Sequence, residues 1–323
     1  MRRELLRMGI ILGMILVAFT AVVVALNTSL YSAGGYVRGY LDAVARADAT
    51  GALDLAGDPA ETAEASDDLL RAEAISELEQ IRLVGDDAGE DGVHRVTYAY
   101  EADGVSAQST FEVRQTGALF GLFPTWEFAV QPIGVLQVTA QNDPRFTANG
   151  IDLVAPAANA PAGYSVFVPS TVTLKHETQF LQSRAQRVSV ADPASPVAAR
   201  VEVLANAAFV EQVQQELDEH LDECATQPVL LPTGCPFGQE IANRIVTEPS
   251  WSISEYPQVT IVPGPEPSTW LVPRTRGAAH LLVDIRSLFD GSISTFDRDV
   301  PFTVAYLVTF LPDGSPLITA QYE

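Results

Sequence analysis

The chain has 323 residues, 47% of them apolar, which is enough to close more than one core and is not the composition of a disordered chain. By size it holds two or three domains. The formal net charge is −22, and so acidic a surface repels phosphate backbones, which argues against nucleic-acid binding and otherwise serves solubility.

The N-terminus carries the strongest local signal. MRRELLR precedes the apolar run Met8–Leu26, and no charge occurs from Met8 to Val37. Nineteen helical residues span about 28 Å, close to the hydrocarbon thickness of a bilayer. Arg2, Arg3 and Arg7 against Glu4 make +2 here, leaving −24 on the remainder. Arginines before the run place residues 1–7 in the cytoplasm and the bulk of the chain outside. The run is longer than a secretory h-region and lacks a well-placed small-residue cleavage site, so it reads as an uncleaved anchor (residues 8–26 in the bilayer) over a cleaved signal peptide.

Residues 1–30 are thus expected to be stub and anchor. Residues 31–132 read as an α+β unit. NTSLYSAGG is a hinge; Tyr36, Tyr40, Val44 and Ala47 then recur at helical spacing. A second, acidic helix is expected over Asp67–Leu78. Val93–Glu101 alternates as a strand, Ala102-Asp103-Gly104 turns it, and Phe123–Val130 closes the unit. The acidic run Gly85–Asp91 is expected as a solvated hairpin loop. On a calcium-loop template Asp87 and Asp91 fit, but Gly89 and Tyr98 replace required ligands.

Residues 133–195 hold short β segments broken by Pro, Gly and Asn, the pattern of a small sandwich or barrel, with Ala191–Ala198 as a linker. In 196–323 the helix-then-sheet order returns. Phe209, Val213, Leu217 and Leu221 stand four apart on one helical face. Phe302, Val304, Tyr306, Val308 and Phe310 alternate as a half-buried strand, and Pro312-Asp313-Gly314 turns it into a closing hairpin. The Pro-rich Ile261–Trp270 reads as a rigid hairpin loop and a partner-contact surface. Trp126, Trp251 and Trp270 read as core anchors.

Cys224 and Cys235 are the only cysteines. In an exported chain they form a disulfide most simply. A zinc site from His220, Cys224, Cys235 and Glu223 or Asp222 matches no standard module, and ten intervening residues do not suit a redox pair. His176-Glu177 lacks the second histidine of a zincin, and serine-hydrolase, phosphate-loop and dinucleotide motifs are missing. No catalytic residue, metal ligand or cofactor is therefore assigned.

Tyr36–Gly57 with the following strands and the terminal Thr125-Trp126-Glu127-Phe128 resembles the opening helix and sheet of an NTF2-like (cystatin-like) cone, and the 200–323 unit is similar more loosely. Leu221–Gly238 resembles a segment of uncharacterised membrane-anchored extracytoplasmic proteins of high-GC Gram-positive bacteria. The first resemblance implies a pocket in which Asp42, His94 and Tyr98 are the candidates for acid–base work. Each also reads as structural: a solvated helix residue, a strand-edge residue and a core aromatic. The expected function is a non-enzymatic interaction or scaffold protein of the cell envelope, held in the bilayer and contacting an envelope protein. A carrier of an apolar or lipid-like ligand, and a hydrolase or isomerase using an Asp/His pair, stand as alternatives.

Overall fold

Helix α1 (Arg2–Thr28) opens the chain in the computed structural model, which describes residues 2–57, 65–89 and 91–321, and its last turn meets the chain again where Asn27 donates to Leu122 O. Its stretch Arg7–Thr28 is apolar, unburied and long enough to cross a membrane. Beyond it the protein is mixed α+β. Helix α2 (Ala33–Ala45) starts where the Ser32 side chain accepts the Gly35 N–H, and α3 (Ala49–Ala56) where Asp48 accepts that of Gly51. Each cap satisfies an amide that the first helical turn leaves without a partner. α2 buries Val37, Tyr40, Leu41 and Val44.

The expected helix over Asp67–Leu78 does not form. After β1 (Ala65–Ser66) come turns and a single 3₁₀ turn at Ala72–Ala74. Ser66 bonds to the Asp68 carboxylate and amide, and Arg71 to the Asp68 carbonyl. Such side-chain bonds compete with helical ones, and the stretch offers no sustained apolar stripe to repay a helix. The structure instead adds a strand: β2 (Leu78–Ala88) absorbs half of the acidic run expected as a loop. It opens an antiparallel meander with β3 (Val93–Ala102), β4 (Val105–Leu119) and β5 (Phe123–Phe128). Positive φ at Gln80 and two register shifts break the alternation of β2, which hides it in the sequence. The β3–β4 turn forms as expected, with Asp103 and Gly104 both at positive φ. Tyr40, Phe111 and Phe128 pack edge to face between α2 and this sheet.

The middle of the chain is all β: β6 (Ile133–Gln141), β7 (Arg145–Ala148), β8 (Ile151–Val154), β9 (Pro161–Phe167), β10 (Ser170–Lys175), β11 (Leu181–Gln182), β12 (Gln186–Val190), β13 (Val197–Glu202) and β14 (Leu204–Ala205). One sheet runs β1-β9-β6-β13 and a second β12-β10-β7-β8. Phe146 of one meets Tyr164 of the other edge to face at 5.7 Å, inside a core with Leu136, Val138, Val172 and Leu174. The segment expected as a linker ends in β13, which lies wholly beyond the expected boundary at 195 yet pairs in parallel with β6. β1 likewise joins β9 in parallel. Neither pairing is between chain neighbours, so neither shows in local sequence.

Asn206 caps α4 (Ala207–Ala225) by accepting the Phe209 N–H, and the buried face is Phe209, Val213, Leu217, Leu221 and Cys224. The sheet behind it contains β15 (Arg244–Ile245), β16 (Ser250–Glu255), β17 (Val262–Pro263), β18 (Trp270–Arg286), β19 (Ile293–Phe310) and β20 (Pro316–Ala320). β18 is one long strand, bulged between Val272 and Thr275. Gly277 sits where a Cβ would lie 2.6 Å from the Phe302 ring, so only glycine lets the two long strands approach there. The Ile261–Trp270 loop folds back as the β17–β18 hairpin, and its Ser268 N–H donates to Asn142 O of the middle sheets.

Candidate functional site

The three residues expected to line a pocket in the first unit are brought near one another, each with a hydrogen-bond partner. Tyr98 is buried and donates to Gly34 O at 2.9 Å. Burial pushes its phenol above the ordinary value, as do the nearby Asp42 and Asp86 carboxylates, against the Arg38 charge. His94 Nδ1 meets Asp86 Oδ1 at 2.7 Å, and its ring stands edge-on to Trp126 at 4.8 Å. Asp42 accepts from Arg38 one helical turn away. This is a helix docked on a sheet through hydrogen bonds. Asp87, half of the calcium-loop idea, lies in β2 opposite Arg95. Among the described residues no three His, Cys, Asp or Glu side chains group as a metal site.

Cys224 and Cys235 are disulfide-bonded, with Cα atoms 5.8 Å apart. The bridge ties the end of α4 to a loop held by further bonds: Gln227 Oε1 accepts the Thr233 N–H, Trp251 Nε1 donates to Val229 O, and His220 Nε2 lies 3.1 Å from Gly234 O. Under this loop, α4 and the C-terminal strands leave a cleft of about 310 Å³ lined by Val213, Leu217, His220, Tyr306 and Ile318. A second cleft of about 230 Å³ shares His220, Gly234, Tyr306 and Ala320 and reaches Cys235 and Pro236. The floor is apolar and the rim carries one imidazole, one phenol and the Glu216 carboxylate. Both sulfurs are in the disulfide, so no thiol is available there as a nucleophile. The arrangement can hold an amphipathic group. His220 is visible in the sequence only as a neighbour of Cys224; its meeting with Tyr306 depends on the fold.

A buried polar cluster in the middle sheets has no counterpart in the sequence expectations. The Asp143 carboxylate accepts from the Arg145 backbone and from Nε and a terminal guanidinium nitrogen, at 2.9, 2.9 and 2.6 Å. Burial pushes this carboxyl up, but the Arg145 hydrogen bonds and charge outweigh it and hold it below the usual range. His176 is 4% exposed and its Nδ1 sits 2.8 Å from Arg145 O, so Nδ1 carries the proton and donates. Nε2 is buried without a partner. Burial keeps this imidazole neutral to lower pH than usual.

The sign of the pH dependence follows. Below about pH 6.5 the unfolded chain protonates its histidine while the folded one resists, so stability falls as pH drops through that value. The depressed Asp143 contributes stability above about pH 4 and loses it below. Urea midpoints are therefore expected to fall between pH 7.5 and 5, and by less in His176→Gln. Asp143→Asn is expected to cost about 1–3 kcal/mol at pH 7; an unchanged midpoint would mean that the Asp143–Arg145 pair adds nothing.

Comparison with known proteins finds no matching family model, no matching curated protein and no matching solved structure.

Ser287–Ser292 joins β18 to β19 and presents Leu288 at 74% and Phe289 at 99% exposure. β18 stops at Arg286, because Asp290-Gly291 turns the chain and Gly291 takes a positive φ. Ser287 Oγ accepts the Phe289 and Asp290 amides, and Asp290 Oδ1 accepts from Ser292. A second turn, Leu119–Leu122, joins β4 to β5.

Proposed function

We propose that the protein is a membrane-anchored extracytoplasmic interaction or scaffold protein of the cell envelope that performs no chemistry of its own. In this reading α1 crosses the membrane with its N-terminus in the cytoplasm, and the two helix-then-sheet units, α2–α3 with β2–β5 and α4 with β15–β20, are NTF2-like cones flanking the β sandwich. The disulfide fits an oxidising compartment.

The observation that carries the reading is the β18–β19 arm. Its turn is ordered by its own hydrogen bonds and offers an almost fully exposed phenylalanine beside a leucine. A large apolar side chain on a pre-ordered turn loses little entropy on docking and suits an apolar pocket in an envelope protein. Placing a photoreactive benzophenone amino acid at Phe289 of the full chain in native membranes is expected to give one discrete adduct. The adduct should vanish with Leu288→Asp and be absent with the same probe at Asp313, on the exposed β19–β20 turn. No adduct at 289 in folded, membrane-bound protein would sink the arm as the contact.

One observation favours a second reading, a carrier of an apolar or lipid-like ligand: the apolar-floored cleft under the disulfide loop. Native mass spectrometry of protein extracted gently from membranes separates the two. A carrier retains an adduct that leaves on denaturation, and a scaffold is bare.

A further inference from the structure

We propose that the β4–β5 turn, Leu119–Leu122, is a second membrane contact, seated in the interfacial layer of the leaflet where α1 ends. It holds the first unit at a fixed orientation to the bilayer. The inference rests on the reading of α1 as a membrane-spanning helix.

Position is the first support. Trp126 Nε1 donates to Tyr31 O at 2.9 Å, the Phe123 ring lies 4.6 Å from that of Tyr31, and Asn27 Nδ2 donates to Leu122 O at 2.9 Å. Walking along β5 from Trp126 to Leu122 therefore keeps step with walking from Tyr31 back to Asn27, the last turn of the apolar stretch Arg7–Thr28. The turn at Phe120-Gly121 lies beyond Leu122 in the same direction, on the membrane side. The stretch of 22 residues spans about 33 Å, so its last turn falls at the bilayer interface.

Chemistry is the second. Phe120 is 85% exposed, with Leu119 and Leu122 at 45% and 44%. Residues 115–126 carry no charge in a chain of net charge −22, and charge resumes only at the Arg114–Glu127 pair across the strands. The acidic surface that repels anionic headgroups is thus interrupted where the hairpin meets the anchor. Tyr31 and Trp126 sit at the depth where aromatic belts concentrate. Phe120 also takes a φ of +53°, a conformation that Asn, Asp or Gly adopts at less cost. A phenylalanine held there and left bare in water loses twice; against lipid its ring is buried.

The test uses the full chain in phosphatidylcholine vesicles, with an environment-sensitive NBD label on Phe120→Cys and, separately, on Met14→Cys in the anchor and Asp313→Cys on a distant turn. The disulfide leaves each new thiol as the only one to label. Quenching by doxyl-labelled lipids is expected at 14 and at 120, at least twofold stronger at 120 than at 313, with a blue-shifted emission at 120. Quenching at 14 with 120 no stronger than 313 overturns the second contact and leaves the anchor standing. No quenching at 14 removes the anchor and the proposal with it. A blue shift at 120 without lipid quenching assigns the turn to a second copy of the chain and overturns the bilayer contact.

Discussion

Phe209→Ala is expected to lower the unfolding free energy by about 3–5 kcal/mol, the cost of an emptied aromatic site in a core that relaxes only in part. Phe209 is fully buried on α4, and its ring centroid lies 5.6 Å from Phe180, 6.2 Å from Trp270 and 5.1 Å from Phe310. Phe180 lies in the bend before β11, whereas Trp270 and Phe310 come from the two long strands of the last sheet. One ring therefore fills the joint between the two bodies. Nearby, Asn206 caps α4 and also donates to Gln179 O beside Phe180. The truncation should loosen this joint as well as α4, and intrinsic tryptophan fluorescence should shift with the urea midpoint because Trp270 is in the cluster. A variant with the wild-type midpoint would mean that the joint is not part of the cooperative fold.

Reduction of the Cys224–Cys235 bridge, or the double change Cys224→Ser with Cys235→Ser, is expected to cost about 3 kcal/mol on the loop-closure formula. The two residues are 11 apart, so the effect acts on the freedom of the unfolded chain. A native-state term adds to it, because Cys224 is buried on α4 and serine there puts a hydroxyl among apolar neighbours. The loop keeps other ties, through Gln227 to Thr233, Trp251 to Val229, and the Phe237 ring to Trp251 and Phe302. The reduced protein should thus fold with a lower urea midpoint. Equal midpoints with and without reductant would show that those ties, and not the bridge, hold the loop.

Where local periodicity was strong, the structure follows it. α4 has its four-residue apolar stripe and its Asn206 cap, and β19 keeps Phe302, Val304 and Val308 inward. The errors lie where local signals were weak or competing. β2 escapes because its burial is mostly outward and a positive φ at Gln80 interrupts it. The acidic stretch after Ser66 resembles a helix in composition, yet its side chains bond their own backbone. Of the candidate pocket residues, Tyr98 bonds across to Gly34 of α2, whereas Asp42 pairs with Arg38 inside α2 and His94 with Asp86 inside the sheet.

The sequence by itself determined the membrane-length helix, the α+β alternation and the pairing of the only two cysteines. Each of these is written in neighbouring residues or in a count. Only the tertiary structure decided that β13 and β1 enter the middle sheet in parallel, that Asp143, Arg145 and His176 meet, and that α4, Tyr306 and Ile318 enclose a cleft. It also decided that the β4–β5 hairpin meets the end of α1, where Asn27 Nδ2 donates to Leu122 O. These juxtapositions join residues tens of positions apart, and the closure of such contacts is fixed by the packing of whole elements, which no local pattern encodes.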